Sequence, residues 1–392
     1  MKIVYSLDTL SVVGGLERVT VIKANALAAL PGNEVYIIVS YDGGKDIAFE
    51  LSPAIHLIDL SADVQEAHSP RRGRMCQYYD AWRRKRARKT RLLGILDEIS
   101  PDVVVSVGRA DRNALASVRN RKWKLVREIH GERNHHLKHA KSFKERLMVR
   151  LIRFYDEQFN MRRTDKVVLL TPAELDSEWR GRDNFTVIPN PVSFKCETPS
   201  ALNEKRVISV GRLVYIKNNT SLVNVFKAVV AKHGDWRLEI YGDGPERKAL
   251  QQQIDENGLQ DNVLLMGNTS HIQEALTHSS IFAMTSLSEG FPLVLLEAEE
   301  CGLPLVAFDC PTGPSDIIAD GENGYLVPLN DERMMTERIC ALIEDRELRE
   351  RMGRRAREKA GDYQVETIRD RWMSLFGELV NSSCVTHIDS VN

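Results

Sequence analysis

Short apolar runs alternate with longer segments of helical periodicity from one end of the chain to the other. Strands buried on both faces read as continuous apolar runs, and strands alternating with helices make βαβ units. The pattern therefore predicts parallel sheets covered by helices. Lys2–Ser6 is the first such run; a loop with Gly14-Gly15 follows, then a helix from about Leu16 to Leu30 that Pro31-Gly32 ends. Further strands are predicted at Glu34–Ser40, Ile55–Asp59, Val103–Val107, Lys124–Glu128, Lys166–Leu170 and Thr186–Pro189. The rhythm then restarts, with strands at Arg206–Val210, Arg237–Tyr241, Val263–Met266, Ile281–Thr285 and Leu305–Phe308. Helices at about Asn219–Lys232, Pro245–Asn257, His271–His278 and Pro292–Cys301 separate them, and Glu332–Ile343, Arg346–Ala360 and Gln364–Leu379 follow, with a frayed tail after Val380. Pro, Ser and Thr accumulate between Pro189 and Asn203. The expectation is two doubly wound α/β domains, 1–195 and 196–365, facing a cleft, each able to bind ligands outside the carboxyl ends of its strands.

Within that frame the most telling stretch is Ser286-Leu-Ser-Glu-Gly-Phe-Pro-Leu-Val-Leu-Leu-Glu-Ala-Glu-Glu-Cys-Gly-Leu-Pro304. Pro292 suits the first turn of a helix, where its missing N–H is no loss, and Gly302 and Pro304 suit its end. Leu293 to Cys301 is apolar nearly all round, so the helix is buried and Glu297 inside it needs a polar partner. The helix N-terminus points back at Glu289 with free N–H groups, a ready anion site. The other reading is a loop acid followed by a helix whose Glu297 reaches solvent.

Other motifs sit at predicted strand ends. Val210-Gly-Arg-Leu-Val-Tyr-Ile-Lys-Asn218 follows the first strand of the second half and places Arg212 and Lys217 at its carboxyl edge. Arg offers a planar fork for phosphate and Lys a point charge. Ile240-Tyr-Gly-Asp-Gly-Pro-Glu246 reads either as a plain βα turn or as a ligand contact through Gly242 and Gly244. Asp309-Cys-Pro-Thr-Gly-Pro-Ser315 is a further strand-end loop. Gly14 and Gly15 lie between the first strand and the first helix, where a phosphate can approach. Arg127-Glu-Ile-His-Gly131 ends a strand in His130, which reads as structural or as a site residue.

Hydrophobic content of 43% and charged content of 28% are ordinary for a soluble globular protein, and no apolar run is long enough to span a membrane. The start of the chain reaches Asp8 without a signal-peptide core, and the six cysteines show no CxxC spacing, so a cytoplasmic protein with reduced thiols is expected. Net charge is −1, but unevenly placed: residues 1–195 hold 34 basic and 24 acidic residues, and 196–392 hold 20 and 31. Residues 71–91 carry ten Lys/Arg and one Asp, and 138–163 mix basic residues with Phe143, Leu147, Met148, Leu151, Ile152, Phe154 and Tyr155. At helical spacing this reads as a helix on an anionic bilayer or as a core-facing helix with a solvated basic side. No nucleic-acid recognition motif accompanies the charge.

Taken in order, Gly14-Gly-Leu-Glu-Arg-Val19, Ile188-Pro-Asn-Pro191, Val210-Gly-Arg-Leu with Lys217-Asn218, Tyr241-Gly-Asp-Gly-Pro245, Ser288-Glu-Gly-Phe-Pro292 with Glu297, and Gly321-Glu-Asn-Gly-Tyr-Leu-Val327 resemble the family 4 glycosyltransferases of the GT-B fold. Glu289 and Glu297 reproduce the family's E-x7-E motif, and the pieces cover most of residues 1–330. The resemblance implies an N-terminal acceptor domain, a C-terminal donor domain and a last helix, 366–380, packing back on the first domain. It implies retaining transfer from a nucleotide-diphosphate sugar, a UDP-sugar before a GDP-sugar. The acceptor would be a lipid-linked glycan at the inner membrane face, in capsule, exopolysaccharide or lipopolysaccharide synthesis. In that reading Arg212 and Lys217 bind the donor diphosphate, Glu297 takes the ribose hydroxyls and Glu289 the donor sugar. Gly290, Phe291 and Leu293 hold the donor through backbone amides, and Gly242 belongs to the same donor set. Gly14 and Gly15 border the diphosphate, and His130 contacts the sugar. No cofactor or metal is obligatory, in keeping with the lack of an Asp-x-Asp sequence. The alternatives are a sugar-nucleotide epimerase on the same fold and a non-catalytic nucleotide-sugar-binding or scaffold protein.

Overall fold

The structure, a computed structural model, describes residues 1–61, 74–109, 111–130 and 142–388. The chain divides into two compact units: Met1–Leu170 with Glu178–Ile188 and the chain from Val365, and Thr171–Ser177 with Pro189–Gln364.

The first unit is built on seven strands: β1 (Lys2–Leu7), β2 (Glu34–Val39), β3 (Ile55–Asp59), β4 (Val103–Ser106), β5 (Lys124–Glu128), β6 (Lys166–Leu169) and β7 (Phe185–Val187). They form one sheet in the order β3-β2-β1-β4-β5-β6-β7, every pair parallel. Side chains alternate between the faces of a strand. Ile3, Tyr5 and Leu7 therefore join one core with Val21, Ala24 and Leu27 of the helix Gly15–Ala28 and with Trp372 and Phe376 of the helix Val365–Ile388. Val4 joins a second core on the other face, with Leu92, Ile95 and Leu96 of the helix Arg74–Ile99. Each buried Val, Leu, Ile or Phe among them contributes roughly 1.5–3 kcal/mol.

The second unit has six strands: β8 (Arg206–Val210), β9 (Arg237–Tyr241), β10 (Val263–Gly267), β11 (Ile281–Met284), β12 (Leu305–Asp309) and β13 (Gly324–Pro328). Their order is β10-β9-β8-β11-β12-β13, again all parallel. Phe226, Leu250 and Ile339, from three covering helices, pack on Val207, Leu238 and Val306 of the sheet.

Four elements depart from the sequence reading. The basic stretch at 71–91 enters a 26-residue helix, Arg74–Ile99, whose buried Leu92, Ile95 and Leu96 all lie in its last turns. Gly324–Pro328 is an edge strand. The last helix runs to Ile388, since no proline stops it after residue 379. Pro292 is the N-cap of the helix Leu293–Glu300, with extended ψ of 95°, instead of its first residue.

One ion pair is sealed inside the first unit. Lys23 lies on the buried face of its helix, 2% exposed, and its ammonium meets the carboxylate of Glu128 on β5, 1% exposed. The Trp372 ring lies 5.0 Å from the ammonium. Burial opposes the ionised Glu128, but Lys23 and then His130 hold its carboxyl down to about 2. Burial pushes the Lys23 ammonium down, against Glu128. Lys23→Met leaves a buried carboxylate with only His130 beside it and is expected to cost about 3–5 kcal/mol in urea unfolding of this unit. Because the folded carboxyl titrates below its unfolded value, its contribution is complete above roughly pH 4.5 and is lost as the pH falls towards 2. Glu128→Gln should flatten the stability–pH curve in that window, and an unchanged curve would refute the assignment.

Candidate active site

In the second unit the winding reverses between β8 and β11, so the loops after these two strands flank the point where such sheets open to ligands. The loop after β8 carries Gly211, Arg212 and a short turn, Tyr215–Lys217. Asn218 then adopts a left-handed conformation, φ 50°, and caps the helix Asn219–Val230. Asn tolerates that region better than most residues. The Thr285 hydroxyl donates to the carbonyls of Asn218 (3.0 Å) and Lys217 (3.3 Å), and Leu287 N–H donates to Ile216 O at 2.8 Å. The loop after β11 is thus tied to the loop after β8.

Across this junction Lys217 Nζ lies 2.6 Å from Glu289 Oε1, with the side chains 23% and 11% exposed. The Lys217 stem runs beside Gly211, where a Cβ would already be 3.4 Å from its Cε. The loop after β12 supports Glu289 from the other side. Thr312 Oγ1 donates to the Glu289 carbonyl, and Gly313, at φ 96°, leaves room for Pro292, whose Cδ would be 2.5 Å from a Cβ there. Cys310 is buried here, its thiol pushed up to about 12 by burial and then by the nearby Glu289 charge.

Gly242 and Gly244 serve this construction through the backbone. Gly242, at φ 126°, presses on the carbonyl of Gly211, and Gly244 on that of Leu213. Gly211 N–H donates to Tyr241 O, Leu213 N–H to Asp243 O and Glu246 N–H to Leu213 O, at 2.9, 2.9 and 3.0 Å. The two loops are zipped together beneath Arg212, whose exposed side chain forms no ion pair with any described residue. Gly290 lies between Glu289 and Phe291, and Phe291 packs its buried ring on Tyr363 at 5.9 Å. Leu293 opens the eight-residue helix, and Glu297 lies one turn in, 1% exposed. The neighbouring Glu299 is also buried; it accepts from Asn323 Nδ2 at 2.5 Å, and burial holds its carboxyl well above the usual range.

In the first unit Gly14 is the extended N-cap of the helix Gly15–Ala28, with no side-chain cap. The loop before it is pinned by Asp42, which accepts from the backbone of Leu10 (2.9 Å) and Ser11 (3.2 Å). His130 follows β5, its Nε2 3.2 Å from Glu128 Oε1. Leu16 and His130 line one cavity, so Gly14, Gly15 and His130 gather at one edge of this sheet. The sequence reading did not single out Lys23, Asp42, Glu128 or Thr285; it left Thr312 open, as lining the cleft or making a rigid turn. For the first a signal was present: a charge in the middle of an otherwise apolar helical stripe.

Two family profiles match adjoining parts of the chain: Glycosyltransferase Family 4 over residues 13–195 and Glycosyl transferases group 1 over residues 194–359. The chain belongs to the family 4 glycosyltransferases. Its relatives include the amylovoran biosynthesis glycosyltransferase AmsD of Erwinia amylovora, 38% identical over 172 residues, 44% of this chain and 48% of that protein. An exopolysaccharide phosphotransferase of Streptomyces coelicolor is 36% identical over 224 residues, 55% of this chain and 24% of that protein. The matches therefore span about a quarter to a half of these relatives' own lengths. Among solved structures, S. aureus TarM in complex with UDP aligns with a TM-score of 0.75 at 18% identity, covering 96% of this chain and 99% of that one. Anabaena HepE in complex with UDP aligns with a TM-score of 0.71 at 18% identity, covering 96% and 100%. At such identities the likeness concerns the fold, which is GT-B.

The zipped loops give a direct test. Gly242→Ala strains a positive φ and drives a Cβ into the Gly211 carbonyl, and should cost about 1–3 kcal/mol in urea unfolding of the second unit. Gly258→Ala, at φ 66° with open space around it, should cost less. Equal losses would mean that the contact between the loops does not matter.

Proposed function

We propose that the chain transfers a sugar, with retention, from a nucleotide-diphosphate sugar to a glycan acceptor in surface-polysaccharide synthesis. The observation that carries this is the part-exposed Lys217–Glu289 pair at the reversal of the second sheet, beside exposed Arg212 and one turn from buried Glu297. A diphosphate carries more charge than one carboxylate, so it competes with Glu289 for Lys217 and gains a fork from Arg212. Glu289, released, turns to the donor sugar, and Glu297 receives the ribose hydroxyls. The amides from Gly290 to Leu293 take phosphate oxygens, as helix N-termini do. The anomeric carbon gains a bond to the acceptor oxygen as its bond to the β-phosphate breaks, and the acceptor proton passes to the leaving phosphate. Arg212 and Lys217 stabilise the charge that builds there. The lack of an Asp-x-Asp sequence supports transfer without an obligatory metal. AmsD's role in amylovoran biosynthesis supports a polysaccharide product, and UDP in the TarM and HepE structures supports a UDP-sugar donor.

Melting with UDP, with GDP and without nucleotide tests this reading. A ligand at about 100 times its dissociation constant stabilises by roughly 2.7 kcal/mol. UDP is expected to raise the melting temperature and GDP not, with the shift lost in Lys217→Ala and Glu297→Ala. Both variants should lower transfer by orders of magnitude. Near-parental rates in either would reject the site.

The acceptor is read as lipid-linked, with the first unit touching an anionic membrane. The helix Phe143–Tyr155 exposes Leu147, Met148, Leu151 and Phe154 to solvent, beside Lys144 and Arg150. The helix Arg74–Ile99 exposes Tyr79 and Trp82 beside Arg83, Lys85 and Arg86. Apolar side chains flanked by cations suit the interface of an anionic bilayer. Among the described residues, no helix is long and apolar enough to cross a membrane. Flotation with phosphatidylglycerol vesicles at low salt should recover the chain, and Leu151→Asp with Phe154→Asp should abolish recovery. Flotation that survives both substitutions would remove the membrane reading.

A further inference from the structure

The first unit contains a cavity of about 200 Å³ beside His130. Its lining includes apolar Val149, Ile152 and Met161 together with Arg109, Arg112 and Arg127. Three acids also line the cavity, and each is already engaged. Glu128 meets Lys23 and His130. Asp156 Oδ2 takes Arg127 Nη2 at 2.8 Å and Arg112 Nη1 at 3.5 Å, while its Oδ1 accepts from Asn160 at 2.6 Å. Glu157 lies 4.0 Å from Arg182. Two guanidinium groups thus share one carboxylate oxygen, and Arg127 Nη1 is buried with no hydrogen-bond partner. Burial and then the neighbouring charges of Arg127 and Arg109 push the Arg112 guanidinium down, Asp156 opposing.

A buried N–H without a partner is costly, and like charges held this close are relieved by an anion between them. We infer that this cavity holds a phosphate group of the acceptor, against Arg112 and Arg127, with the attached chain along Val149 and Ile152. Several guanidinium groups converging from different elements suit a tetrahedral phosphate, which accepts in more directions than a planar carboxylate. This rests on the reading of the chain as a transferase and narrows its acceptor to a phosphate-bearing one. The phosphate belongs either to a soluble phosphoester or to a lipid headgroup.

The full chain is titrated calorimetrically with glycerol phosphate, glycerol and gluconate, and sedimented with vesicles of phosphatidylglycerol or of phosphatidylcholine. Glycerol phosphate or phosphatidylglycerol vesicles should bind, and glycerol, gluconate and phosphatidylcholine should not. Arg127→Met should weaken that binding about tenfold or more, and Arg127→Lys should restore part of it. Arg112→Gln, nearer the rim, decides the matter where Arg127→Met does not fold. Binding of glycerol phosphate assigns a soluble phosphoester; binding of phosphatidylglycerol vesicles alone, lost in the arginine variants, assigns a headgroup. No binding in any arm, gluconate binding as well as glycerol phosphate, or parental binding by the folded variants overturns the inference. UDP binding by the parent is scored separately: its absence sinks the transferase reading, while the arginine variants still judge the phosphate site.

Discussion

A parallel sheet wound outward in both directions from a central strand has one place where neighbouring strands send their connections to opposite faces. In the second unit that place is the seam between β8 and β11, and the chemistry there depends on it. Helices cover the two faces, but at the seam the loops must brace one another. They do so by close approach that leaves no room for a Cβ: Gly242 against the Gly211 carbonyl, Gly244 against the Leu213 carbonyl and Gly313 against the Pro292 ring. Arg212, Lys217 and Glu289 stand on that braced platform, so their positions are set by loop-to-loop hydrogen bonds more than by their own side-chain packing. The glycines of the Tyr241-Gly-Asp-Gly motif belong to this platform. Their sequence signal is strong because a Cβ at either position would strike a carbonyl of the chain itself.

The strands were legible because burial on both faces turns them into apolar runs that need no partner to be recognised. Gly324–Pro328 escaped because its apolar core is only Tyr-Leu-Val and it ends in proline, as an edge strand can. The helix Arg74–Ile99 escaped because its anchoring residues, Leu92, Ile95 and Leu96, lie at one end while ten cations fill residues 71–91. The carboxylate spacing of Glu289 and Glu297 and the strand-end place of Arg212 and Lys217 could be read from the chain. The Lys217–Glu289 pair could not, because its partners are 72 residues apart and only the order of the strands makes them neighbours. The same holds for Lys23 and Glu128, 105 residues apart.

Those two ion pairs differ in a way that bears on their use. Lys23–Glu128 is almost wholly buried, with Trp372 over the ammonium, and only Glu128 reaches the wall of the cavity beside His130. Removing either partner strands the other in a medium that solvates it poorly, so the pair acts as a fixed part of the frame behind His130. Lys217–Glu289 is only part-buried, so both charges keep some contact with solvent. On the proposed reading, a diphosphate drawn to Lys217 and Arg212 together would displace Glu289 from Lys217 without disturbing the fold. The braced loops hold the backbone of both residues, so the Glu289 side chain can turn while its loop stays in place. A sealed pair in the same position would hold its geometry as well but would have no charge to offer an incoming donor.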